Sequence, residues 1–117
     1  MYAQIETTVN IGKGSKMKLT TAREGKRLTI TINGTIDAKT APDLEAELTE
    51  EALDGVEELY FDMKDMDYTS SVGLRAILNA YQILDEREGR MVLQHINDDV
   101  REIFELTGFM DFLEVED

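Results

Sequence analysis

The sequence predicts an α/β domain: a mixed β-sheet that starts with an N-terminal hairpin and continues as alternating helices and strands, with the helices packed on it. Three observations carry this. Leu28, Ile30 and Ile32 alternate with Thr29, Thr31 and Asn33, the period of a half-buried strand. Leu74, Ile77, Leu78, Tyr81 and Leu84 recur at helical spacing. Leu59-Tyr60-Phe61 and Met91-Val92-Leu93 are short continuous apolar runs, as in strands covered on both faces.

Taken in order, residues 1–16 differ in character from the rest of the chain. They have room for a short strand near Ile5 to Ile11 and end in Gly12-Lys13-Gly14-Ser15-Lys16, which reads as a flexible joint. They are set apart as an N-terminal extension, flexible or foreign to the native chain, because Met17 has the character of a native start. The domain proper is expected over 17–117. The glycine cluster lacks the Gly-x-x-x-x-Gly-Lys-Ser/Thr spacing of a phosphate loop. Met17 and Leu19 supply the partner of the Leu28–Ile32 strand, through a turn at Glu24-Gly25-Lys26. Gly34-Thr35-Ile36-Asp37 leaves that strand, and Thr40-Ala41-Pro42-Asp43 opens a helix, with Thr40 as cap and Pro42 in the first turn. Ala41, Leu44, Leu48 and Ala52 give this helix one apolar face and Gly55 ends it. Val56 to Met63 is the central strand, and Ser71 to about Arg87 the strongest helix, closed by Gly89. Met91-Val92-Leu93 is the next strand. Asn97 or Asp98 then caps a shorter helix with Val100, Ile103 and Phe104 inward, Gly108 stops it, and Phe112–Val115 is a final strand.

A chain of 117 residues suits one domain that buries roughly 65% of its unfolded surface, so no staples are required. No cysteine is present, which excludes disulfides, thiolate metal sites and a cysteine nucleophile. Twelve basic against 25 acidic residues give a net charge of −13. That charge argues against nucleic acid and against an anionic membrane, and favours a protein partner with a basic or neutral face. With no long apolar run and no secretory-type start, the expected location is the cytoplasm.

The run Asp67-Tyr68-Thr69-Ser70-Ser71-Val72-Gly73-Leu74-Arg75 places three adjacent hydroxyls where a strand feeds the strongest helix. Backbone N–H groups at a helix start lack partners and carry partial positive charge, so an anion is well received there. A phosphate on Ser71 adds about −1.5 to −2 of charge at that point. An ordinary N-cap also calls for serine, and the chemistry alone leaves both readings open. Gly34 reads equally as a turn glycine, and Asp37 as a turn carboxylate. Asp62, Asp65 and Asp67 come after a central strand as magnesium-binding or phosphorylatable carboxylates do in a response-regulator receiver. The initial hairpin and the absence of a late lysine at Asn97-Asp98-Asp99 favour a solvated loop instead, and no metal site is assigned. His95, the one histidine, has no Ser or Cys at motif spacing and reads as a strand-end residue. No catalytic residue and no cofactor are expected.

The run Tyr68–Leu78 resembles the signature of the STAS domain, as found in bacterial anti-sigma-factor antagonists, and Gly34-Thr35-Ile36-Asp37 with Ala41-Pro42 and Leu44 resembles the family's earlier segment. The likeness spans about Met17 to Val115. It implies a non-enzymatic partner switch. The unphosphorylated protein binds an anti-sigma factor that is also a serine kinase; serine phosphorylation breaks the complex, and a metal-dependent serine phosphatase restores it. The phosphorylated position maps to Ser71, with Ser70 as rival. Gly34, Asp37, Thr69, Ser70, Ser71, Val72, Gly73 and Arg75 are implied as the docking surface, on a monomer or weak dimer. The family often carries an acidic residue where this chain has Ser70, and Ser or Thr where it has Val72. A STAS scaffold that is never phosphorylated is the alternative.

Overall fold

The computed structural model describes residues 5–9, 17–111 and 113–116. Six strands form one sheet in the order β1-β2-β3-β4-β5-β6: β1 Ile5–Val9, β2 Met17–Glu24, β3 Arg27–Ile36, β4 Glu58–Thr69, β5 Arg90–Gln94 and β6 Glu114–Glu116. β1, β2 and β3 pair antiparallel, and β3 to β6 pair parallel, so the sheet is mixed as expected. β1 lies within the stretch set apart as an extension and pairs with β2 from Ile5↔Arg23 to Val9↔Leu19. The joint at Gly12–Lys16 and the end of the expected early strand, at 10–11, lie outside the described residues.

The helices α1 Ala41–Ala46, α2 Ser71–Glu86 and α3 Asp98–Leu106 share one core with a single set of strand residues. Leu28, Ile30, Ile32, Leu59, Phe61 and Leu93 point into it together with Leu44, Ile77, Ala80, Val100 and Phe104. Crossovers between neighbouring parallel strands share one hand as a rule, so in a sheet whose parallel strands follow in sequence order the helices fall on the same side. Tyr60 and Val92 are buried on the opposite side. Tyr60 lies beneath Arg27, whose guanidinium stacks 4.4 Å from the ring centre.

The final strand is Glu114–Glu116, later than the expected Phe112–Val115, and Phe112 lies outside the described residues. Two further elements depart from the sequence expectation. The first helix stops at Ala46, and residues 47–55 form successive turns. Leu48 is buried there as expected, and Leu53 takes the buried place that the pattern gave to Ala52, which is exposed. Arg87 Nη1 donates to the Leu53 carbonyl (2.6 Å) and Nη2 to that of Glu50 (3.2 Å), while Arg23 donates to that of Asp54 (2.9 Å). These charged donors satisfy carbonyls that the turns leave without a helical partner. The central strand also runs six residues past Met63, to Thr69. Its pairing with β3 slips between Thr31/Asn33 and again between Gly34/Thr35, so β4 carries two bulges. Each bulge breaks the two-residue alternation, which is why Asp65 and Asp67 read as loop residues in the sequence.

Candidate functional site

β3 and β4 are neighbours and parallel, with Ile36 beside Thr69, so the two loops that leave their ends start side by side. The Ser70 backbone N–H donates to the Ile36 carbonyl (2.9 Å), tying the second loop to the first strand. The two sequence motifs therefore meet at the C-terminal ends of parallel strands, where α/β sheets commonly place functional surfaces.

The first loop is held from within. The Asp37 carboxylate accepts backbone N–H bonds from Lys39 (2.9 Å) and Thr40 (3.1 Å). Thr40 does not cap α1 with its side chain; its Oγ1 accepts from the Asp37 N–H (2.8 Å) and donates to the Thr35 carbonyl (3.0 Å). Thr40 is thus a buried knot of this loop. Its position before Ala-Pro made it look like a cap, and nothing in the sequence separates the two roles. Gly34 has φ 101°, a conformation that favours glycine, at the second register slip of the sheet.

The second loop turns tightly into α2. Ser70 is the N-cap residue by backbone, but its side chain makes no cap bond. Its Oγ is shut off from solvent without a partner among the described residues. Ser71, the first helical residue, is exposed, as is Arg75 one turn on, while Val72 is partly exposed. Gly34, Thr69 and Gly73, implied by the resemblance as docking residues, are buried and act on the surface by shaping it. A Cβ at Gly73 would lie 2.6 Å from Ile36 Cγ2 and collide with Thr69 Oγ1, so only glycine lets α2 start this close to β3. Close approach also explains Gly89, whose Cβ would lie 2.8 Å from the Glu57 carbonyl; the residue with positive φ at that turn is Glu88.

The charge pattern at this helix start is distinctive. α1 carries Asp43 in its first turn and α3 carries Asp98 and Asp99, whereas α2 has no acidic residue there. A carboxylate at that position is worth about 0.3–1 kcal/mol. In a chain with 25 acidic residues its absence leaves the first-turn N–H groups uncapped and uncompensated.

The carboxylates considered for receiver chemistry do not converge. Asp62 Oδ1 accepts from the Lys64 N–H (3.1 Å) and sits 3.0 Å from His95 Nδ1, while Asp65 and Asp67 are exposed along the bulged strand. Among the described residues no three His, Asp or Glu side chains are grouped to hold a metal ion. His95, just past the end of β5, has φ 58° and pairs with Asp62.

Fold and site together define a small α/β module whose candidate site is an exposed helix start beside a neighbouring strand-end loop. The chain belongs to the STAS domain family, whose model matches residues 18–117. It is 34% identical over 99 residues to BtrV of Bordetella bronchiseptica, a candidate anti-sigma factor antagonist by name, and the match covers 85% of each chain. A crystal structure of an anti-sigma factor antagonist from Mycobacterium paratuberculosis shares the fold with a TM-score of 0.76 at 21% identity, covering 88% of this chain and 87% of that one. SpoIIAA, an anti-sigma factor antagonist, shares it in unphosphorylated form with a TM-score of 0.69 at 16% identity, covering 86% of this chain and 87% of that one.

Proposed function

We propose that this chain is an anti-sigma-factor antagonist that works as a partner switch and is not itself an enzyme. Its unmodified form binds an anti-sigma factor that is also a serine kinase. Phosphorylation of Ser71 releases it, and a metal-dependent serine phosphatase resets it. The observation that carries this reading is the contrast between the two serines: Ser71 is exposed on the first turn of α2, while the Ser70 hydroxyl is sealed. A kinase can reach the first and not the second.

A phosphate on Ser71 would sit among uncapped N–H groups, which favour its charge and so leave the helix intact. The partner's face would meet about two added negative charges where it had met a hydroxyl. The direct contacts are Ser71, Val72 and Arg75, with Asp37 on the adjoining loop; Gly34, Thr69, Ser70 and Gly73 set the shape. SpoIIAA, which has the same fold, is known in phosphorylated as well as unphosphorylated form. The switch module is residues 17–117, acting in the cytoplasm as a monomer or weak dimer, with no cofactor. No helix of the described residues is long and apolar enough to cross a membrane.

Incubation with the partner kinase and ATP, followed by mass-spectrometric mapping, tests the assignment. Phosphate on Ser71, full binding by Ser71→Ala and weak binding by Ser71→Asp are expected. Modification confined to another residue overturns the Ser71 assignment, and binding with no modification anywhere points to a scaffold.

A further inference from the structure

The residues of the serine loop and α2 are unlike the rest of the chain. Tyr68 to Leu84 contain a single charged residue, Arg75. In a chain that is 32% charged, a stretch of this length would ordinarily carry about five. On α2 the outward side chains are Ser71, Arg75, Asn79 and Gln82, all exposed, with Leu78 partly exposed among them. At about 100° per residue they fall within one arc of the helix, and from Ser71 to Gln82 the arc runs roughly 16 Å. Charge returns only in the last turn, as Asp85 and Glu86. Both ends oppose what the helix dipole favours: no carboxylate at the positive end and two at the negative end. Helix stability does not account for this placement.

We infer that this arc is a docking strip for the partner that reaches Ser71, so that recognition extends along three turns of α2 and beyond the modified residue. The strip rests on the switch reading for its occupant. The charge pattern describes the face it fits: a carboxylate opposite Arg75, an uncharged middle against Leu78, Asn79 and Gln82, and a basic group facing Asp85 and Glu86. On the other helices an approaching protein meets carboxylates from the first turn onward, at Asp43 and at Asp98 and Asp99. Along this arc, from Ser71 to Gln82, it has only one cation to match.

The test is the affinity of the purified anti-sigma factor/kinase for three variants of the full chain. Asn79→Glu/Gln82→Glu adds two negative charges to the strip on exposed positions where glutamate supports a helix. Lys26→Glu makes the same net change at the hairpin turn, beyond the opposite ends of the parallel strands. Arg75→Gln removes the one cation and serves if the double variant melts early. The strip variants are expected to bind about tenfold or more weakly with unchanged melting, and Lys26→Glu to stay within about twofold. Unchanged binding by the double variant and by Arg75→Gln, while Ser71→Asp is weakened, overturns the strip and leaves the serine switch standing. Weakened strip variants beside a fully binding Ser71→Asp support the strip and remove the switch. If the strip variants change only self-association in sedimentation, the occupant is a second copy and the inference fails.

Discussion

Two helix starts in this chain use the same kind of residue to opposite ends. Asn97 is a working cap: its Oδ1 accepts from the Val100 N–H (2.8 Å) and its Nδ2 donates to the Met66 carbonyl (2.8 Å). Ser70 has cap geometry in its backbone but no cap bond, and its hydroxyl is buried alone among the described residues. Asn97→Ala should therefore destabilise the fold by about 1–2 kcal/mol. Ser70→Ala, which removes an unsatisfied group, should be neutral or stabilise by up to about 1 kcal/mol. Urea unfolding of the pair decides it, and equal losses would contradict the local geometry. Gly73 makes a similar point about sign. Alanine in a helix interior ordinarily gains about 1 kcal/mol over glycine. Here the new Cβ would meet Ile36 and Thr69, both buried, so Gly73→Ala should lose about 1–3 kcal/mol by the same measurement. These roles are largely illegible in sequence. Ser-Ser before an apolar helix looks the same whether the first serine caps it or not, and one of the glycine's neighbours, Ile36, comes from a strand more than thirty residues away.

Among the elements, the segment between α1 and β4 shows most plainly how tertiary contacts overrule local propensity. Residues 47–55 have the composition of a helix, yet Arg87 and Arg23 hold their carbonyls as turns. Arg87→Met keeps much of the aliphatic length and removes the donors. It should cost about 1–3 kcal/mol and speed amide exchange in 47–55, while α2 remains protected. Unchanged exchange there would show that the arginine is not the clamp. β6 depends on another arginine. Arg90 pairs with Glu114 through both carboxylate oxygens and also donates to the Tyr60 hydroxyl (3.2 Å). The hydrogen bond from Arg90, with its charge, holds the Glu114 carboxyl below the ordinary glutamate range. The folded protein thus binds this proton less tightly than the unfolded chain. The pair's contribution is present above the ordinary glutamate pKa and fades as pH falls through the lowered folded value. It is a half-exposed pair and small, so the useful readout is local: protection factors at 114–116, taken relative to the intrinsic exchange rate at each pH, should fall on acidification in the parent, and Glu114→Gln should show that lower protection already at neutral pH. A variant whose β6 still loses protection with acid as the parent does would assign the effect to other carboxylates. The hairpin, α2 and α3 were legible because one periodicity runs through each, and β5 because it is one continuous apolar run. β4 was legible only to Met63, where the first bulge interrupts the alternation.

For the whole molecule, two stretches of sequence separated by more than thirty residues become one surface because β3 and β4 are parallel neighbours. That adjacency was implied by the family resemblance and agrees independently with the crossover topology. The partition within the surface, with Ser71 and Arg75 outward and Thr69, Gly73 and the Ser70 hydroxyl inward, needed the folded structure. It matters for the proposed switch because a charge added to an outward residue at a helix start would change what the molecule binds without changing how it folds. The most direct test compares the protein fully phosphorylated on Ser71 with the unmodified protein, measuring the melting transition and the affinity for the anti-sigma factor. The account predicts the same melting temperature within a degree or two and binding weaker by about a hundredfold, the scale of a like-charge clash at an interface. Equal affinity, or a loss of affinity accompanied by a loss of folded structure, would contradict it.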